Sequence, residues 1–129
     1  MNDDHDCSVQ RALSRLSDFC SKQRLNMALE KLAQADLETN LLQGGFKFKR
    51  EQELSKRDKP DFLVSIDGHT IVLELKTRAQ RKAIYRQLER YAQHASVDGL
   101  LLMTGTAMGL PPHINNKPSR VVSMGGGWL

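Results

Sequence analysis

The chain has 129 residues, 40% of them hydrophobic and 26% charged, with a net charge of +4. That length suits one domain with a real core rather than two, and the composition is that of an ordinary globular protein, not a disordered one. No apolar run approaches the roughly 18 residues needed to span a bilayer, and the acidic start, Met-Asn-Asp-Asp-His-Asp, is unlike a signal peptide; a cytoplasmic (intracellular) protein in a reducing compartment, with no membrane partner, is expected.

In chain order, residues 1–8 are polar and read as a disordered terminus, and residues 9–124 as a single domain. From Ser8 to Gln43 helix formers dominate, with apolar positions at Leu13, Leu16, Leu25, Leu29, Leu32 and Leu37, and Gly44-Gly45 gives a stop. One bent helix or two both fit, since Ser21 and Asp36 can each cap a new start. Phe46 to Leu54 reads as a first strand, and Ser55 to Lys59 as a basic loop.

Next come two apolar, β-branched runs around Asp67-Gly68, a strong signal for a two-residue hairpin turn. With that turn, Ile66 faces His69, and counting outward sets Asp61 opposite Glu74. Glu74 and Lys76 then project from one face of their strand, and Ile71, Leu73 and Leu75 from the other.

A helix is expected from Ala79 to Ala95, with an apolar stripe of Ala83, Ile84, Leu88, Tyr91 and Ala95. Arg78, Arg81, Lys82, Arg86 and Arg90 lie around its other faces. Leu100 to Thr104 reads as a strand buried on both sides, Gly105 to Pro118 as a loop, and Arg120 to Met124 as a last short strand. Residues 125–129 are expected to form a flexible tail carrying Trp128. The order helix, three strands, helix, strand, then a last strand predicts a three-layer α/β domain, a mixed sheet of four to five strands flanked by helices.

Cys7 and Cys20 form no metal-binding spacing and are expected to stay reduced, and His5, His69, His94 and His113 show no zinc pattern. Lys and Arg outnumber Asp and Glu by twelve to seven in residues 47–90, against five to seven before and two to one after. A basic excess around the hairpin is the footprint expected of a surface that meets phosphate.

Opposed carboxylates destabilise a strand pair unless something positive lies between them, and their Cβ atoms, about 5 Å apart, allow a shared divalent cation. With Mg²⁺ or Mn²⁺ between Asp61 and Glu74, and the Lys76 ammonium beside it, phosphodiester hydrolysis follows from the parts. Pro60-Asp61, twelve residues, then Glu74-Leu75-Lys76 resembles the PD-(D/E)XK nuclease motif, and the order of elements is similar to the restriction-endonuclease-like core of that superfamily.

The resemblance implies a metal-dependent DNA nuclease with Asp61, Glu74 and Lys76 as its catalytic core and the Leu75 carbonyl as a further metal ligand. Gln87 and Tyr91 resemble the Gln-x-x-x-Tyr motif of RecB-like nucleases, which implies a place near metal and DNA. Gly45-Phe46 and a glutamate in the first helix resemble archaeal-type Holliday junction resolvases, which act as homodimers. Glu30 is the best candidate for that glutamate and Glu38 the runner-up, eight residues along and about 80° around the helix. Ser55 is a candidate for the loop serine of those resolvases. Lys49, Arg50, Lys56, Arg57, Lys59, Arg78, Arg81 and Lys82 are the candidate DNA-binding or supporting residues. A branched or structured DNA substrate is expected ahead of a RecB-like exonuclease; a non-catalytic DNA-binding module and a plain strand pair bridged by Lys76 or Lys59 are the other readings.

Overall fold

A computed structural model describes residues 3–124, so the expected tail and Trp128 lie outside the described residues. The chain runs α1 (Asp3–Ser21), α2 (Glu30–Gln43), β1 (Lys47–Arg50), β2 (Phe62–Ile66), β3 (His69–Lys76), α3 (Arg81–Ala92), β4 (Gly99–Thr104), β5 (His113–Ile114) and β6 (Lys117–Ser123). It is an α/β fold with a six-stranded mixed sheet in the order β1-β2-β3-β4-β6-β5.

The hairpin register is the one counted from the sequence. Asp67 and Gly68 both take positive φ, 52° and 81°, as a tight hairpin turn requires, and Ile66 pairs with His69 through to Phe62 with Leu73. β1 adds antiparallel to β2, whereas β3, β4 and β6 run parallel. All six residues of β4 are buried, as expected of a strand covered on both faces.

Alternation along the strands divides the core in two. Phe62, Val64, Ile66, Ile71, Leu73 and Leu75 pack with Val9, Leu13 and Leu16 of α1 and Ala33, Leu37 and Leu41 of α2. Val72, Leu100 and Leu102 pack with Ile84, Leu88, Tyr91 and Ala92 of α3. Glu74 and Lys76 share the parity of Val72, and Asp61 that of Leu63, so all three belong to the α3 side.

Several expectations are corrected. Residues 3–8 are the opening turns of α1, not a disordered terminus: Asp4 and Asp6 suit the positive end of the helix, and Asp6 Oδ1 lies 3.1 Å from His113 Nε2. The N-terminal stretch is two helices, and neither Ser21 nor Asp36 caps a start. Ser21 Oγ donates to the Asp18 carbonyl at the end of α1, while Asp36, inside α2, accepts from the Asn26 N–H. Asn26 shapes the turn into α2 by accepting from the Ala28 N–H.

Of the apolar positions, Leu29 and Leu32 are exposed, 63% and 43%; the chain enters α2 at Leu29, and the buried stripe runs through Ala33, Leu37 and Leu41. β1 ends at Arg50 rather than Leu54 because Glu51 turns left-handed, φ 50°. α3 is shorter than expected and buries Ala92, leaving Ala83 and Ala95 exposed.

The segment expected to be a loop from Gly105 to Pro118 contains β5 and the start of β6. Asn115 and Asn116, at φ 50° and 64°, form a second tight hairpin, and Asn115 Nδ2 donates to the Ala92 carbonyl. Lys117 Nζ donates to the carbonyls of His94 and Val97, tying that hairpin to the end of α3.

Candidate active site

The β2–β3 ladder ends at Phe62 and Leu73, and two carboxylates continue it. The Asp61 N–H donates to Glu74 Oε1 at 2.9 Å, and the Leu75 N–H donates to Asp61 Oδ2 at 2.9 Å. Each acid therefore orients the other's strand. Glu74 is 1% exposed, and Lys76 Nζ lies 3.2 Å from Glu74 Oε2.

These groups shift one another. Burial, with the neighbouring Asp61 charge, pushes the Glu74 carboxyl up to about 7, against the pull of Lys76 and the Asp61 N–H. Burial also raises Asp61; the Leu75 N–H and Lys76 oppose that rise and Glu30 adds to it. Burial alone would lower the Lys76 ammonium, but Glu74 and Asp61 outweigh it and hold the ammonium above its usual range.

Glu30, the first residue of α2, reaches the far end of β3, where its Oε1 accepts from the Thr77 N–H at 3.0 Å. Glu38 is engaged elsewhere: its Oε1 lies 2.7 Å from Arg50 Nη1. Arg50 also donates from Nε to the Asp61 carbonyl and lies 4.5 Å over the Phe62 ring, so it braces the strand that carries Asp61. Of the two candidate glutamates, Glu30 is the one beside the carboxylates.

From α3, Tyr91 is buried and Gln87 half-buried one turn before it. The Tyr91 hydroxyl is pushed well above its usual range, first by burial and then by the charges of Glu74 and Asp61. Lys49 is exposed on β1, and Lys56, Arg57 and Lys59 are exposed on the β1–β2 loop. Arg78, Arg81 and Lys82 are exposed where β3 passes into α3. Ser55 is occupied in its own loop, where its Oγ accepts from the N–H groups of Arg57 and Asp58.

One cluster escaped the sequence reading. Asp58, 6% exposed, lies 3.0 Å from Arg90 Nε and 2.8 Å from His94 Nε2, clamping the basic loop to α3. Burial works to raise its carboxyl, but hydrogen bonds from His94 and Arg90 outweigh it and hold Asp58 below its usual range. The one signal in the sequence was an acid set among Lys56, Arg57 and Lys59.

Among the described residues no three His, Cys, Asp or Glu side chains form a ready metal cluster. The donors brought together are the Asp61 and Glu74 carboxylates, hard oxygens of the kind that suits Mg²⁺ or Mn²⁺, and the Leu75 N–H on Asp61 sets the backbone of Leu75 beside them. Two carboxyls raised partly by negative neighbours carry an excess of negative charge that a cation relieves, so the donor set fits such an ion. Cys7 and Cys20 are free thiols, and burial pushes Cys20 up to about 12. Among the described residues no helix is long and apolar enough to cross a membrane.

No protein-family model, curated protein or solved structure matches this chain. The chemistry of the site therefore rests on its own geometry.

Proposed function

We propose that the chain is a divalent-metal-dependent DNA nuclease of the PD-(D/E)XK type, built on a restriction-endonuclease-like core. The observation that carries this reading is the reciprocal pair, Asp61 N–H to Glu74 and Leu75 N–H to Asp61, with Lys76 on Glu74. A buried carboxylate beside a half-buried one that repels it lowers stability, and a catalytic role explains why a strand end would hold such a pair.

In this reading Asp61, Glu74 and the Leu75 carbonyl hold Mg²⁺ or Mn²⁺. The bound ion supplies Lewis-acid activation of a phosphoryl oxygen and of water. Lys76, free to turn from Glu74 once the carboxylates are compensated, stabilises negative charge developing on the phosphate. Glu30 fixes the end of β3 through the Thr77 N–H, which keeps the Lys76 backbone in place. Gln87 and Tyr91 line the approach from α3, and Lys49, Lys56, Arg57, Lys59 and Arg78 attract the phosphate backbone.

Branched or structured DNA is the proposed substrate, cut as an endonuclease, and paired cuts across a junction call for a homodimer. A non-catalytic DNA-binding module is the second reading. The Lys76–Glu74 ion pair favours it, because it satisfies Glu74 without a metal.

The deciding experiment digests a four-way junction, a flap, a linear duplex and a supercoiled plasmid with Mg²⁺ or Mn²⁺, using wild type, Glu74→Gln and Lys76→Ala. Metal-dependent cuts near the branch point, lost in both variants, support the proposal. Progressive shortening of linear ends points to a RecB-like exonuclease. DNA binding without any cleavage, and no difference between wild type and the variants, rejects catalysis.

A further inference from the structure

A shallow, open cleft lies on another side of α3 from the carboxylates. Its volume is about 460 Å³, and it runs between this helix and Met108–Gly109. Arg81, Lys82 and Arg86 rise from its helical wall, all three exposed, and among the described residues none of them takes part in an ion pair. Among the described residues Glu89 is the one acid lining the cleft. Tyr85 and Met108 are half-buried against the apolar cluster beneath α3 and also line the cleft, which gives it an apolar floor and a cationic wall.

The cleft is separate from the carboxylates. At about 100° per residue, Tyr85 is displaced by about 120° around the helix from Tyr91, whose hydroxyl feels Glu74 and Asp61. Gln87 lies farther still from Tyr85, about 160° away.

Two chemistries meet here. Uncompensated cations, with Lys82 and Arg86 stacked one turn apart, match consecutive phosphates. An aromatic ring supported from below offers a stacking platform to a planar base. A duplex presents phosphates but hides its base faces, and an acidic peptide would satisfy the cations but leave the ring unused. An unpaired strand uses both features of the cleft, and its successive phosphates match the row of cations.

We propose that this cleft binds single-stranded DNA, stacking a base on Tyr85 and holding the flanking phosphates with Arg81, Lys82 and Arg86. The inference deepens the proposed function, since a branched substrate carries unpaired segments that the cleft would hold while the carboxylates act on the backbone. Binding here needs neither a metal nor Asp61 or Glu74.

The test is fluorescence anisotropy in EDTA with a short labelled oligothymidylate and a duplex of equal length. We expect the single strand to bind about tenfold more tightly than the duplex. Tyr85→Ala weakens single-strand binding about tenfold and Tyr85→Phe preserves it. Lys82→Gln and Arg86→Gln, on exposed positions that leave the core intact, each reduce the salt slope by about 0.7. Equal affinity for the two forms, loss of affinity in neither Tyr85→Ala nor the charge variants, or equal displacement by polyglutamate overturns the inference. A protein that binds the single strand in this way but cuts no DNA counts against the nuclease reading alone. A protein that cuts branched DNA without these binding effects counts against the cleft alone.

Discussion

Asp61 and Glu74 meet through the backbone as well as through charge. The Asp61 N–H donates to Glu74 Oε1, while the Asp61 carboxylate accepts from the Leu75 N–H next to Glu74. Neither acid can move without disturbing the partner strand. The arrangement holds two like charges together in a buried site, with Lys76 as the compensating ammonium, and its consequences for stability and pH are measurable without any assay of activity.

The first consequence is a pH dependence in metal-free protein. Glu74 has an ordinary value of 4.5 and lies at about 7 in the fold, so between these values the folded state holds a proton that the unfolded chain has lost. Its contribution to stability is complete below pH 4.5 and is lost as pH rises through about 7. Asp61, also raised, acts in the same direction from 3.8 upward. In EDTA, unfolding free energy is expected to fall over this window by on the order of 2 to 3 kcal/mol. Urea titrations at closely spaced pH values check this; a flat profile, or a rise, contradicts the assigned burial of Glu74.

Glu74→Gln follows from the same relationship. The amide keeps an oxygen to accept the Asp61 N–H but removes the charge that repels Asp61. At pH 8 in EDTA the variant should be more stable than wild type by about 1 to 2 kcal/mol, and the gain should vanish at pH 5, where Glu74 is already protonated. Saturating Mg²⁺ should raise the midpoint of wild type and not of the variant. Thermal melts at the two pH values, with and without the ion, give all four comparisons.

The hairpin was legible in the sequence because Asp67-Gly68 fixes a turn of known length, and counting from a fixed turn needs no tertiary knowledge. The same logic applied to Asn115-Asn116, yet a neighbourhood rich in Gly, Pro and Asn hid a two-residue strand too short to show alternation. The apolar positions of the helical stretch do not show which face meets the sheet, because α2 carries leucines on more than one face and Leu32 is exposed while Leu37 is buried. Glu30 could be separated from Glu38 only once the turn at Asn26 had set where α2 begins. The clamp at Asp58 joins residues 32 and 36 positions apart, a separation that no local pattern reports.

That clamp gives a further expectation. Asp58 is buried between Arg90 and His94, and its backbone N–H and carbonyl close the loop with Ser55 and Leu54. Asp58→Ala leaves Arg90 and His94, both partly buried, without their carboxylate partner and should cost about 2 to 4 kcal/mol in a denaturant titration near neutral pH. Because the Asp58 carboxyl is held below 3.8, its contribution is present above that value and lost as pH falls through the lowered one. The deficit of Asp58→Ala should therefore shrink on acidification, the reverse of the trend expected of Glu74. A deficit that does not vary with pH would show that packing, not the charge cluster, accounts for the loss.

The last expectation concerns Gly105, just beyond β4. Its N–H donates to the Lys76 carbonyl at 3.1 Å, and a Cβ placed there would lie 2.7 Å from the Thr77 carbonyl oxygen. That oxygen belongs to backbone rather than to a flexible side chain, so an alanine must push the end of β3 away. Thr77 is held on its other side by Glu30, so the displacement passes to Lys76 and Glu30 together. Gly105→Ala should cost about 1 to 3 kcal/mol in stability and, if the site is catalytic, lower the rate of cleavage more than Gly45→Ala, at a strained turn (φ 79°) away from the site, does at a similar loss. Gly109→Ala, with open space around its would-be Cβ and no positive φ, is the stability control and should be nearly neutral. Urea titration and single-turnover cleavage on the same three variants separate the cost to folding from the cost to the site, because only Gly105 touches the strand that carries Lys76.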